Sequence, residues 1–192
     1  RQMCIRDRTT IMGKHDHPAD HNDHDDYHNQ AAAPRRGLVI VASTRAAQGV
    51  YEDESGKTLA TWLTSRSFDT PEPVIVADAD IPNHFAQLFG DIASLPQVVL
   101  TTGGTGLSDD DRTVDELAKY LTKQLPGIAM QFWQTGLHAT PLAVCSRAIA
   151  GTVGRTFVMA LPGSVSACRD GIKVLDPIID SLVGMLEGTH VH

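Results

Sequence analysis

Aromatic residues make up only 5% of this 192-residue chain, and cysteine occurs three times, at Cys4, Cys145 and Cys168. Three thiols cannot close a disulfide framework and none forms a CxxC pair, so a disulfide-stapled scaffold or a zinc ribbon is excluded. Long apolar runs are missing too. Residues 37–43 and Thr156–Leu161 are far shorter than the ~20 residues a membrane span needs. No basic stretch followed by an apolar one opens the chain, so the expectation is a protein without a secretory signal, soluble and cytoplasmic. Positive charge is scarce as well: 16 Lys+Arg against 23 Asp+Glu leave a net charge of −7. A nucleic-acid-coating surface does not fit that balance, although a small basic pocket does.

The first 36 residues stand apart. Residues 15–28 read HDHPADHNDHDDYH, five His and five Asp with no aliphatic side chain larger than Ala19. Such a segment cannot offset its ordering entropy, so residues 1–35 are expected to be a disordered tail. Residues 1–11 read as an extension upstream of a start at Met12. Interleaved His and Asp suit a loose Zn²⁺ or Ni²⁺ chelator, and a metal chaperone is one reading; a plain solvated tail is the other.

From Gly37 the composition becomes globular and the elements alternate. Residues 37–43, 73–78, 97–102 and 155–161 are short apolar runs, as expected of strands buried on both faces. Between them, residues 54–66 and 82–93 carry apolar positions at helical spacing. Residues 111–125 read as a further helix. Pro126 then suits the first turn of another, whose Phe132, Trp133 and Leu137 are core or interface. Residues 142–152 are open between strand and helix. Ser164 is a good N-cap for a C-terminal helix interrupted at Pro177. The pattern predicts a single α/β domain over 36–192, three layers with a mostly parallel sheet, whose ligands bind beyond the carboxyl ends of the strands.

Two nucleotide motifs fail on inspection. Ser55-Gly56-Lys57-Thr58 resembles the end of a P-loop, but Tyr51 stands where the first glycine is required, so an exposed first helical turn is expected instead. Gly104 and Gly106 supply G-x-G, but Asp109 occupies the third glycine position of a dinucleotide fingerprint. The cluster Thr101-Thr-Gly-Gly-Thr-Gly106 is more informative. It follows a buried strand, exposes backbone N–H groups and precedes a predicted helix N-terminus, all of which favour an anion. Asp109, Asp110 and Asp111 follow at once. Carboxylates beside a phosphate site suggest an intervening divalent cation, although one of them capping a helix would need no ligand. Ser43-Thr44-Arg45 and Asp78 close the first two strands; Asp78 could share a metal with Asp111, or merely start a turn.

The segment 37–186 resembles the molybdopterin adenylyltransferase family, the MogA/MoaB-type proteins whose fold recurs in the G domain of gephyrin. The residues that carry the resemblance are Ser43 to Asp53 (STRAAQGVYED) with Ser55-Gly56, then Thr101–Gly106 with Asp111 and Thr113. Pro126-Gly127, Ser146-Arg147-Ala148 with Ala150-Gly151, and Leu161-Pro-Gly-Ser164 complete it. The resemblance implies Mg-ATP-dependent adenylation of molybdopterin with release of pyrophosphate, before a molybdenum-insertion protein acts. It also implies a homotrimer or hexamer. By matched position it makes Asp111 and Asp78 catalytic and Mg²⁺-binding, and it places Ser43, Thr102, Gly103, Gly104, Thr105, Gly106, Pro162, Gly163 and Ser164 around nucleotide and pterin. One departure stands out: where many relatives carry basic or neutral residues, this chain has Asp109 and Asp110. That leaves a binding or scaffold protein without efficient transfer as the alternative. The register that selects Asp111 over Asp110 rests on family spacing.

Overall fold

The computed structural model describes residues 33–50 and 52–189. In chain order the elements are β1 (Gly37–Ala42), α1 (Thr44–Ala47), α2 (Glu54–Ser65), β2 (Val74–Val76), α3 (Ile81–Leu88) and β3 (Val98–Thr102), followed by α4 (Thr113–Ala118), β4 (Lys123–Gln124), α5 (Pro126–Leu137), β5 (Ile149–Val153), β6 (Thr156–Leu161), α6 (Val165–Leu175) and α7 (Ile179–Glu187). The strands form one sheet in the order β2-β1-β3-β6-β5-β4. Pairing is parallel across β2, β1, β3 and β6 and antiparallel at β5 and β4.

Strand alternation sends successive side chains to opposite faces, which builds two cores. Val39, Leu100, Phe157, Met159 and Leu161 pack under α2, α5, α6 and α7. Ile40, Val99, Val158 and Ala160 pack under α3 and α4 with Phe85 and Phe89. These are the three layers the sequence pattern predicts. β1, β3 and β6 are central and therefore almost continuously buried. β2 lies at the edge, where Val74 and Ile75 are exposed. Phe157 is wholly buried, and its truncation to Ala would cost about 3–5 kcal/mol. Phe132 belongs to the core, Trp133 packs against it, and Leu137 is exposed.

Two local readings need correction and an open one is resolved. The helix expected over 111–125 is only the six residues of α4, after which the chain becomes the edge strand β4. Pro126 disfavours helical backbone at Leu125, and Thr122 and Leu125 instead donate their N–H groups to Thr152 and Ala150 of β5. The open segment 142–152 is a 3₁₀ turn, Pro141–Cys145, followed by β5. The SGKT run begins α2, but Ser55 and Gly56 are buried, Gly56 against Val41, and only Lys57 is well exposed. Ser164 caps α6 through Ala167 N as expected, and the helix breaks before α7 around Pro177.

The expected tail at 1–35 falls mostly outside the described residues. Arg35 already makes tertiary contacts, with Asp69 N donating to its carbonyl and its guanidinium paired with Glu187. No helix among the described residues is long and apolar enough to cross a membrane.

Candidate active site

The carboxyl ends of the parallel strands β2, β1, β3 and β6 lie on one rim, and the predicted residues gather there. Gly103 leaves β3 with φ +96° and Gly104 follows with φ +63°, a left-handed pair that other residues rarely adopt. A Cβ on Gly103 would stand 2.1 Å from the carbonyl oxygen of Ala42, and one on Gly104 would stand 2.2 Å from Thr113 Oγ1. The loop is thus pressed onto the end of β1, where Ser43 begins α1 as its N-cap. Gly163 abuts Gly103 from the β6 side, with a Cβ there only 3.3 Å from the Gly103 Cα. Ser43, Gly103, Gly104 and Pro162-Gly163-Ser164 are therefore one neighbourhood.

Backbone accounting identifies what this neighbourhood can bind. Gly103 N is spent on Leu161 O at 2.9 Å. The N–H groups of Gly104, Thr105 and Gly106 donate to no described residue, which leaves three consecutive donors beside a turn of positive φ. Unspent donors in series at a turn of this kind are the groups that suit an anion. The helix-dipole contribution expected from the sequence is not part of it, because α4 is only six residues long and starts beyond Asp111.

Thr102 and Thr105 act from beneath. Thr102 is fully buried; its hydroxyl donates to Pro162 O at 3.0 Å and lies 3.3 Å from Ser55 Oγ and 3.4 Å from Cys168 Sγ. It ties β3, α2 and the Pro162 turn together instead of facing the rim. Thr105 is also buried, with its hydroxyl 3.4 Å from Ser146 Oγ.

The two acids differ in posture but share one property. Asp78 Oδ2 accepts from Thr44 N at 2.9 Å and from Thr44 Oγ1 at 2.7 Å, which consumes the Thr44 hydroxyl. Asp111 Oδ2 accepts from Ser108 N at 2.9 Å and lies against Gly106. In each case Oδ1 receives nothing from the described residues, and both side chains are half-buried. No set of three His, Cys, Asp or Glu groups forms a metal cluster among the described residues. Asp109 and Asp110 are exposed, so solvent screens their charge.

Some important residues carried no role in the sequence reading. Asp53, 6% exposed, caps α2 by accepting from Gly56 N and Ser55 Oγ, both at 2.7 Å. An Asp three residues before a buried helical N–H is a legible N-cap signal. Arg147 donates to carbonyls of the glycine loop, and nothing in the local pattern announces that reach. Cys168 is buried beneath the rim, and desolvation pushes its thiol up to about 11, which makes it a packing residue and not a nucleophile. A cavity of about 200 Å³ opens beside the Pro162 turn, lined by Phe132, Leu142, Ser146, Pro162, Ser164 and Asp170.

The protein-family profile described as "Probable molybdopterin binding domain" matches residues 38–181, which include every rim residue above. The chain belongs to this family. Among relatives of the molybdopterin-binding family, the "Molybdenum cofactor biosynthesis bifunctional protein" of Chlorobaculum tepidum is 34% identical over 153 residues, 80% of this chain and 49% of that protein. The "Molybdopterin adenylyltransferase" of Escherichia coli K12 is 33% identical over 174 residues, 82% of this chain and 87% of that protein. The chain spans about half the length of the bifunctional relatives it matches. The solved molybdopterin biosynthesis Mog protein of Mycobacterium ulcerans superposes with a TM-score of 0.73 at 35% identity, over 79% of this chain and 99% of that one.

Proposed function

We propose that this molybdopterin-family protein transfers the adenylyl group of ATP to the terminal phosphate of molybdopterin and releases pyrophosphate. The observation that carries the reading is the run of three unspent N–H groups at Gly104, Thr105 and Gly106 beside a carboxylate with a free oxygen at Asp111. A bare cluster of acids would repel phosphate; a donor cradle set against acids suits a polyphosphate handled with a divalent cation. The names of the relatives, over most of this chain, support the same substrates.

Asp78 and Asp111 would hold Mg²⁺, and the fit is chemical: two hard oxygen donors, each with Oδ1 unspent. When bound, the cation offsets charge on the phosphates. The chain's own contribution is positioning. The N–H groups of Gly104 to Gly106 orient the polyphosphate, and Ser43 and Ser164, whose hydroxyls cap α1 and α6, stand on either flank. The cavity beside Pro162 admits part of a flat heterocycle. A molybdopterin phosphate oxygen then attacks the α-phosphorus in line; that P–O bond forms as the bond to the β-phosphate breaks, and pyrophosphate leaves. The product goes on to a molybdenum-insertion protein. The working unit is a homotrimer or hexamer in the cytoplasm, and light scattering on the purified chain tests its size directly.

The full chain with Mg²⁺, ATP and molybdopterin should release pyrophosphate and place AMP on the pterin, with dependence on all three components. Asp111→Asn should lower turnover by about 100-fold or more while the fold persists. Wild-type turnover in that variant rejects the role of Asp111. Tight pterin binding without AMP transfer points to the binding-protein reading, which Asp109 and Asp110 would favour; their exposure favours adenylation instead.

A further inference from the structure

The nine residues from Gly103 to Asp111 include an exposed stretch, Leu107 to Asp110, that packs on nothing buried. Left to itself, such a stretch would let the Asp111 carboxylate wander relative to the cradle. One side chain prevents that. Arg147 lies between the 3₁₀ turn at Pro141–Cys145 and β5, and its backbone N–H donates to Thr105 O at 2.9 Å. Its Nε donates to Gly106 O at 2.8 Å, and Nη2 donates to Asp111 O. Nη1 takes both carboxylate oxygens of Asp115, at 2.9 and 2.8 Å, which fixes the plane of the guanidinium. The preceding residue is anchored in turn, since Trp133 Nε1 donates to Ser146 O at 3.0 Å.

We infer that Arg147 is the positioning residue of the site: a single planar guanidinium clamps the carbonyls at both ends of the 106–111 loop and so sets where the Asp111 carboxylate stands against the Gly104–Gly106 donors. The inference rests on the adenylation reading for its catalytic consequence but not for its geometry. Arginine suits the task because its donors diverge in a rigid fork. Lysine keeps the charge but concentrates its donors at one point, so it cannot reach Gly106 O, Asp111 O and Asp115 together. A displacement of about 1 Å at a reacting centre is enough to cost on the order of 100-fold in rate.

The test uses Arg147→Lys in the full chain. Pyrophosphate release with Mg²⁺, ATP and molybdopterin should show kcat lowered by about 30-fold or more with KM for ATP within about threefold. In an Asp111→Asn background the same change should cost no more than about threefold, because the residue it positions is already disabled. Hydrogen exchange within 105–112 at Ser108, Asp111 and Arg112, whose N–H groups are bonded within the loop, read without substrates, should rise about tenfold while the strands are unaffected. Full additivity in the double variant, or unchanged exchange at 105–112, overturns the inference. If Arg147→Lys does not fold, Asp115→Asn replaces it: faster exchange of the same segment and a lower kcat are expected, and no change in either overturns it. A wild-type protein that releases no pyrophosphate rejects the adenylation reading, and the exchange result still decides whether Arg147 sets the loop.

Discussion

His84 shows how one residue ties stability to pH. It sits on α3 with Nε2 buried and without a hydrogen-bond partner among the described residues, and burial lowers its pKa below the ordinary 6.5. The folded state therefore holds the imidazole neutral where the unfolded chain would protonate it. Below pH 6.5 unfolding takes up a proton, so stability falls as pH drops towards the lowered value and is flat above 6.5. His84→Gln should flatten that part of the thermal stability curve between about pH 7.5 and 5.5; parallel curves for the two proteins reject the assignment. Asp78 and Asp111 illustrate what is legible at this scale. Their identity and place after strand ends can be read from sequence. That Asp78 spends Oδ2 on Thr44 N, 34 residues earlier, while Asp111 spends its own on Ser108 N in the same turn, cannot, because one contact is set by strand pairing and the other by a turn with no fixed residue signature.

At the scale of elements, the glycine loop is the most constrained piece of backbone. Gly104→Ala places a side chain at φ +63° and drives its Cβ into Thr113 Oγ1, so it should lower the free energy of unfolding by about 1–3 kcal/mol in chemical denaturation. An unaltered midpoint would mean that the loop reshapes at little cost. The strands at 37–42 and 156–161 and the cap at Ser164 announce themselves, because continuous apolar runs and capping residues report local physics. The stretch after α4 does not. Residues 119–125 keep helical composition but are drawn into β4 by pairing with β5, a contact that lies about 30 residues away in the chain.

For the whole molecule, the layered α/β architecture follows from the alternation of apolar runs, and the two buried faces of β1, β3 and β6 bear that out. The strand order was less accessible. The antiparallel end of the sheet depends on Gly154, whose φ of +58° lets a two-residue turn join β5 to β6. A glycine two residues before a second apolar run is a hairpin signal, but it is masked while residues 142–152 are open between strand and helix. Arg147 was hidden for a similar reason: its partners at Gly106 and Asp111 lie 41 and 36 residues earlier.

The register of β3 against β6 has a consequence for how the protein is made. Thr102 donates to Pro162 O across 60 residues, and Gly103 N finds its acceptor on Leu161. During synthesis the TTGGTG segment therefore leaves the ribosome long before the strand that seats it, and its donors have no frame in which to converge. Closing so long a loop is slow relative to local helix formation. The shape of the 103–106 loop is acquired in one step when β6 docks beside β3, so a nascent chain halted before residue 164 carries the motif without the contacts that seat it.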